Sequence, residues 1–496
     1  MSRMGHRRRA GLMLASVLVG PRLASAQPAP EGVIDVAPVA TAPLVPAPAE
    51  APVPAPSAAS AAAAGTAPIS PPTPAPPSAL EPAPAALRPA PRLRPVLTDR
   101  GWQLDLTGYF QADLIAYNQL SVDEVAPDNP GQPLNQERFV IPRARIRAVA
   151  HDDRDGLFGL VELDGNTRSG AAIARLIGAQ VGWTSAPGPR PDAGDQGFAI
   201  TASAGLMTIP FGVEVPRDLR DNPFLEHPAV SRALFPGDYD LGALLQGRYG
   251  YARWSLAVMN GAPIADQQWQ GKDPLSSYDF VGRLGADVPM PYALRLEAGV
   301  SALTGKSLHA GVPPTKDSFE WVDENLNGII DPGELEIVRG SPGEPSQTYT
   351  HDALGLDARL RWIAGRLGAG EAFFEGALAT NLDRGLVFAD PVAASRDLRQ
   401  LGYQAGVVQS LGAHALLGVR YDRYDADRDA TDRQGARLAA VHKIFSTWAV
   451  MASARWGDAK LIFEYDRNRN PFGRGDDGQP ATRSADQFAI RGQVGF

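Results

Sequence analysis

The chain has no cysteine, so neither a disulfide framework nor a thiolate metal site can contribute to its fold. Beyond residue 26 it also lacks any run of about 18 apolar residues, which excludes a membrane-spanning helix there. Lysine is nearly missing: Lys272, Lys306, Lys316, Lys443 and Lys460 are all there is. The positive charge therefore resides in arginine, a planar bidentate partner for carboxylate and phosphate. The seven histidines fall singly, without metal-ligand spacing, and neither a Gly-x-Ser-x-Gly elbow nor a zinc-protease helix occurs. These absences point away from an enzyme. A barrel hydrolase would still require a Ser/His pair brought together on neighbouring strands. The net charge of −8 argues against a nucleic-acid partner.

What is present begins with an export pattern. Arg3, Arg7, Arg8 and Arg9 precede an apolar stretch from Ala10 to Gly20, followed by small residues at Ala24, Ser25 and Ala26. This predicts a signal peptide over 1–26, cleaved between Ala26 and Gln27. Loss of its five arginines would take the net charge to −13. Residues 27–98 are dominated by alanine and proline and contain no aromatic residue. Such a segment cannot bury a core, and is expected to be a disordered periplasmic linker with polyproline II character. At about 3.1 Å per residue it could reach about 200 Å.

From residue 99 the texture becomes β. Trp102, Leu104, Leu106, Phe110, Ala112, Leu114 and Ala116 alternate with Gln103, Asp105, Thr107, Tyr109, Gln111 and Asp113. The same two-residue period recurs around 294–300, 354–361, 417–422 and 460–465, each time with charges on one face only. It returns at the end, where Phe488, Ile490, Gly492, Val494 and Phe496 face one way, with Gln487, Arg491 and Gln493 facing the other. Isolated charges on otherwise apolar strands are costly in a dry core but tolerated along a water-filled lumen. The expected fold is all-β: an antiparallel transmembrane β-barrel of about 16 strands over 99–496, in the outer membrane, with bilayer lipid around it. Gly-, Pro- and Asp-rich stretches at 119–136, 184–197, 262–278, 306–350 and 466–485 read as outer loops.

Several stretches in order resemble the phosphate-selective porin O and P family over about residues 100–496. They are Arg143-Ala144-Arg145-Ile146-Arg147, the segment Gly205-Leu206-Met207-Thr208-Ile209-Pro210-Phe211-Gly212-Val213-Glu214, and Arg232-Ala233-Leu234-Phe235-Pro236-Gly237 leading to Asp240-Leu241-Gly242. Asn260-Gly261, Glu297 to Ser301, Arg420-Tyr421-Asp422 and the aromatic end at Phe496 follow. The resemblance implies an outer-membrane porin, assembled as a homotrimer, with basic residues along an anion route. Two departures favour general porin architecture over phosphate specificity: the scarcity of lysine, and an N-terminal extension rich in proline and alanine.

Arg143, Arg145 and Arg147 are spaced by two, so their side chains share one face at intervals of about 6.6 Å. Facing lipid at mid-depth, each would cost about 2–4 kcal/mol, so they must face the lumen. Two readings stand side by side: a ladder passing anions between weak sites, or pairs with Glu162, Asp164 or Glu297 that stiffen the wall. Arg295, Arg359, Arg361, Arg420, Lys460 and Arg491 join them on lumen faces, against Glu162, Asp164, Glu297, Asp357, Asp422 and Glu464. That tally predicts a mildly basic lumen, with the excess acid in loops, and small anionic solutes as cargo.

The longest loop contains Asp323-Glu324-Asn325-Leu326-Asn327-Gly328-Ile329-Ile330-Asp331-Pro332-Gly333-Glu334, which matches the calcium-loop pattern D-x-[DN]-x-[DN]-G-x₅-E at every required position. Asp323, Asn325, Asn327, the Ile329 carbonyl, Asp331 and Glu334 would be the oxygen ligands of a structural Ca²⁺, with Ile330 packed beneath. No helix is evident on either flank, so affinity is expected at about 10⁻⁴–10⁻³ M. The alternative is a polar loop whose Asp, Asn, Gly and Pro serve only the backbone. The sequence thus reads as a passive diffusion channel with modest anion preference, phosphate among its solutes. A barrel hydrolase and a calcium-stabilised surface barrel with a closed lumen are the alternatives.

Overall fold

The computed structural model describes residues 97–99 and 101–496, apart from 119–134, 153, 169–171, 186–196, 267, 270–273, 435–436, 441–442 and 475–479. The expected signal peptide and nearly all of the Ala/Pro-rich segment lie outside the described residues. Of the latter only Leu97 and Thr98 are described; with Asp99 they pair against Leu104–Trp102.

Sixteen long strands close into a ring. They are β1 (Trp102–Tyr117), β2 (Arg138–Asp152), β3 (Leu157–Asn166), β4 (Ile173–Thr184), β5 (Ala199–Thr208) and β6 (Tyr239–Tyr249). β7 (Ala252–Met259), β8 (Asp279–Met290), β9 (Leu294–His309), β10 (Gln347–Ile363) and β11 (Ala369–Thr380) continue it. β12 (Arg399–Leu411), β13 (Ala415–Asp425), β14 (Ile444–Trp456), β15 (Ala459–Arg474) and β16 (Gln487–Gly495) complete it. Each strand pairs antiparallel with its sequence neighbours, and β16 pairs with β1 in the register Arg491↔Asp113, so no strand edge remains open. Closure is what allows a sheet to cross lipid, because every strand then has a hydrogen-bonding partner on both sides.

The two-residue period of the sequence becomes an outside and an inside. Val161, Leu163, Val181, Leu256, Leu284, Val300, Leu354, Leu356, Val450 and Val494 stand exposed on the outer wall. Aromatic side chains are exposed toward both rims: Trp102, Trp183, Tyr249, Tyr292 and Trp456 at one, and Phe139, Tyr278, Phe280 and Phe488 at the other. An apolar belt between two aromatic girdles is the lipid-facing surface of an outer-membrane barrel. Gln111, Asp113, Glu162, Asp164 and Arg491 occupy the alternate, inward positions and are buried.

Connections alternate between the ends. At the end bearing Phe496 they include 250–251, 291–293 and 457–458; at the other they include 209–238, 310–346 and 381–398. This corrects two expectations. The connection at 185–198 joins β4 to β5 at the end of the short turns, because the number of strands before it is even. The stretch 466–485 is largely strand, since β15 extends to Arg474.

Candidate functional site: the lumen and its inserted segment

Residues 209–238, between β5 and β6, fold inward and cross the lumen. Pro210 lies two residues beyond the end of β5, and the segment carries more apolar residues than a solvated loop can hold: Ile209, Phe211, Val215, Leu219, Phe224, Leu225, Val230, Leu234 and Phe235, all buried. Phe224 packs with Phe373, Val408 and Met451, and Leu225 with Ile462 and Ala489, while Ile209, Phe211, Val215, Val230, Leu234 and Phe235 form a core with inward-facing Leu303, Ala353, Ala377, Ala379 and Tyr424 of the wall. A short helix, α1 (Ala229–Leu234), packs within it. The wall accommodates this core by being small where it is touched. A Cβ on Gly355 would meet the Phe211 ring at 2.8 Å, and one on Gly402 would meet Val230 at 2.5 Å.

The polar anchors reach several sectors of the ring. Gly212, at φ +64°, donates its N–H to Ser301 Oγ on β9 at 3.0 Å. A Cβ there would fall 1.9 Å from Glu375 Oε1, so glycine is required. The Glu375 carboxylate on β11 in turn accepts from the amides of Val213 and Glu214. On the far side, Glu464 accepts from the Leu225 amide at 2.9 Å, while Lys460 Nζ donates to the Arg220 carbonyl at 2.7 Å. Arg420 donates to the Glu226 carbonyl at 2.9 Å and lies 4.6 Å from the Phe224 ring centre.

Inside the segment, Glu214 Oε1 lies 3.1 Å from His227 Nδ1 and accepts from Asn222 Nδ2 at 2.8 Å; His227 Nε2 is 3.4 Å from Asp238. Burial opposes the charge on Glu214, but the His227 hydrogen bond and Arg217 outweigh it and hold the carboxyl well below the usual range. Burial likewise opposes charging of His227, yet Asp238 and Glu214 raise it to about 9. Glu226 is held well below the ordinary value because Arg143, Arg168 and Arg491 overcome its burial.

The segment holds five acidic residues against three arginines, and it meets the wall where arginine is densest. Arg143 donates to Glu226 at 2.7 and 3.2 Å and to Gln111 at 3.2 Å. Arg145 lies 3.6 Å from Asp164, 3.7 Å from Asp218 and 3.9 Å from Glu162. Arg147 pairs with Glu162 at 2.7 Å and Asp218 at 3.4 Å. Arg491 pairs with Asp113 and Glu226. On the opposite wall Arg295 pairs with Asp287, Arg359 approaches Glu214 at 3.8 Å, and Arg361 pairs with Glu371 at 2.9 Å and Glu297 at 3.3 Å. Arg420 lies 3.7 Å from Asp422.

Every arginine singled out from the sequence thus has a carboxylate partner, and Glu297 serves Arg361 rather than the 143–147 row. Sequence reasoning missed the wall acids Asp287, Glu371 and Glu375 and the basic Arg283, which pairs with Asp357 at 2.6 Å. With these four residues and the inward-facing Asp113 counted, the basic excess along the wall is cancelled. What distinguishes the wall pairs is exposure. Arg147 and Arg361 have a third of their side-chain surface exposed (34%), while Glu162 has 3% and Glu371 15%. In each of these closest pairs the carboxylate is the more buried member, and the second partners, Asp218 at 24% and Glu297 at 21%, are also less exposed than the guanidinium they meet. The sequence signal for the inserted segment was available in its long apolar residues, Ile209, Phe211, Leu219, Phe224, Leu225, Leu234 and Phe235, set within one connection.

A second cluster lies near the outer mouth. Ser307 on β9 is 3.1 Å from His351 Nδ1 on β10, and His351 Nε2 is 2.9 Å from Asp279 on β8. This is the Ser/His pair on neighbouring strands that a hydrolase would need. All three are buried, and the Ser307 hydroxyl also accepts from Arg384, which pairs with Asp266 at 2.9 Å. The network ties two loops to three strands.

The calcium-pattern loop sits at the tip of a hairpin formed by Ser318–Trp321 and Leu335–Val338, so strands rather than helices flank it. Asp323 accepts from the amides of Asn327 and Gly328, and Asp331 from the side chains of Asn325 and Asn327. Ile329 donates its N–H to Asn327 Oδ1, and Glu334 accepts from the Asp331 amide and Trp321 Nε1. The side chains thus converge, with Leu326 and Gly328 at positive φ. Among the described residues no three His, Cys, Asp or Glu side chains group to hold a metal unaided; here Asn325 and Asn327 would supply part of the shell. Ile330 is exposed, contrary to expectation, because the hairpin that carries it is itself exposed along both strands.

No family model matches the chain, and no curated protein does. Among solved structures, several outer-membrane proteins are similar to it at low identity. The outer membrane channel DcaP of Acinetobacter baumannii is 8% identical, covering 82% of this chain and 100% of that one, with a TM-score of 0.48. The anion-selective porin from Comamonas acidovorans is 11% identical over 80% and 100%, with a TM-score of 0.46. OmpT of Vibrio cholerae is 9% identical over 81% and 99%, with a TM-score of 0.44.

Proposed function

We propose that the protein is a passive outer-membrane diffusion channel with modest anion preference, narrowed by residues 209–238. The observation that carries this reading is the asymmetry of two wall pairs: at Arg147 and Arg361 the guanidinium side chain is more exposed than any carboxylate it meets. In a low-dielectric wall, a nearly neutral pair still presents a positive surface to a passing solute. Small anions, phosphate among them, are the proposed cargo, and the homotrimer is part of the same proposal. Single-channel recording tests it. Ohmic conductance in chloride and in phosphate is expected; absence of conductance, or preference for cations, contradicts it.

The loop at 323–334 is proposed to bind Ca²⁺ weakly, through the oxygens of Asp323, Asn325, Asn327, Asp331 and Glu334 and the Ile329 carbonyl. It would order the outer hairpin and take no part in transport.

The Ser307–His351–Asp279 alignment favours one second reading, a barrel hydrolase. Its burial, and the Arg384 hydrogen bond on the nucleophile oxygen, argue for a structural network instead. An ester-hydrolysis assay separates the two: the channel reading expects no turnover, and turnover abolished by Ser307→Ala would establish the other.

A further inference from the structure

Glu226 of the inserted segment meets three guanidinium groups. Arg143 donates to both of its oxygens at 2.7 and 3.2 Å, a fork-to-fork arrangement fitted to a planar carboxylate. Arg491 Nη2 donates to Oε1 at 3.1 Å, and Arg168 donates to the same oxygen. Arg491 is also held by Asp113 through two bonds of 2.7 Å, and Arg143 by Gln111, so two of the three guanidinium groups are fixed from the wall independently of Glu226. Three arginines against Asp113 and Glu226 leave one positive charge; withdrawal of Glu226 would leave two. Arg168 and Glu226 both remain partly exposed, at 46% and 31%, so solvent reaches the site.

We propose that Arg143, Arg168 and Arg491 form a binding site for carboxylate-bearing solutes, and that Glu226 occupies it as a tethered internal ligand. An incoming carboxylate reproduces the contacts of Glu226 and competes with it. Because Glu226 is covalently attached, its effective concentration is high, and the site in the native protein is weak. A compact dicarboxylate suits it best, since its two charges match those left when Glu226 swings away. The proposal rests on the reading of the lumen as an anion route, but it concerns equilibrium binding and can be measured without current.

The test uses malonate on the full-length purified protein, with binding followed by thermal shift in detergent and by block of chloride current in bilayers. Glu226→Ala vacates the site and is expected to strengthen malonate binding at least tenfold; Glu226→Gln, which keeps the side chain's bulk, serves if the alanine variant does not fold. Adding Arg168→Gln to either is expected to reverse the gain. Inorganic phosphate, which a guanidinium also binds bidentately but which is tetrahedral where the Glu226 carboxylate is planar, is expected to gain less than malonate. Unchanged malonate affinity in both Glu226 variants overturns the proposal, as does an equal gain for phosphate. If detergent binding behaves as stated while no current is seen, the binding site stands and the channel reading fails.

Discussion

Asp113 on β1 and Arg491 on β16 meet through two parallel hydrogen bonds of 2.7 Å, across the seam where the first and last strands close the ring. Both side chains are buried, and Arg491 also donates to the Leu225 carbonyl at 2.7 Å. One guanidinium therefore joins the seam to the inserted segment. Removing one member of a buried pair leaves the other charge uncompensated, at a cost of about 3–5 kcal/mol. Arg491→Ala is predicted to lower the unfolding midpoint in denaturant accordingly. The double variant Asp113→Ala/Arg491→Ala is predicted to lose less than the sum of the single losses.

The anchoring of the inserted segment is pH-dependent, with a sign set by His227. Its folded-state pKa is raised to about 9 by Asp238 and Glu214 against burial. The ionic contribution is thus complete below the ordinary histidine value of about 6.5 and fades as pH rises through about 9. Glu214 has its pKa lowered, so its contribution is present above the ordinary carboxylate value and is lost only in strong acid. Amide exchange within 209–238, corrected for intrinsic rate, is predicted to rise between pH 8 and pH 10. His227→Gln is predicted to exchange faster at pH 7 and to lack that rise.

Gly402 tests whether the segment is held by fit. A side chain there would collide with Val230 at 2.5 Å, while the strand backbone can accept any residue in extended geometry. Gly402→Leu is predicted to displace the segment at a cost of about 1–3 kcal/mol, the usual penalty of overpacking. The barrel should still fold, and channel conductance is predicted to increase. Unchanged conductance would mean that the segment does not limit the pore.

For the hairpin loop, Ca²⁺ is predicted to protect 318–338 from proteolysis, with half-effect at about 10⁻⁴–10⁻³ M. Glu334→Gln is predicted to raise that concentration at least tenfold. An unaltered calcium response in the variant would place any site elsewhere.

The barrel was legible because its physics has a two-residue period: Trp102 to Ala116 and Phe488 to Phe496 carry inside and outside in the order of their letters. The end at which a connection lies was less legible, as 185–198 illustrates, since it depends on counting every strand before it. The inserted segment was read as motifs, from Gly205 to Glu214 and from Arg232 to Gly237, without the inference that Phe211, Phe224, Leu225 and Phe235 demand a core of their own. Which acid meets which arginine could not be read at all. Asp218 and Glu226 reach Arg145 and Arg143 only because a loop between β5 and β6 folds back upon β2, a contact that no local spacing encodes.

The central claim is that arginines more exposed than the carboxylates they meet set the preference of the lumen. The reversal potential across a tenfold KCl gradient measures it directly, in the native protein and in Arg147→Gln/Arg361→Gln. The account predicts a potential of the sign set by chloride in the native channel, moved toward zero in the double variant. A potential of the sign set by potassium, or one unmoved by the two substitutions, would contradict it.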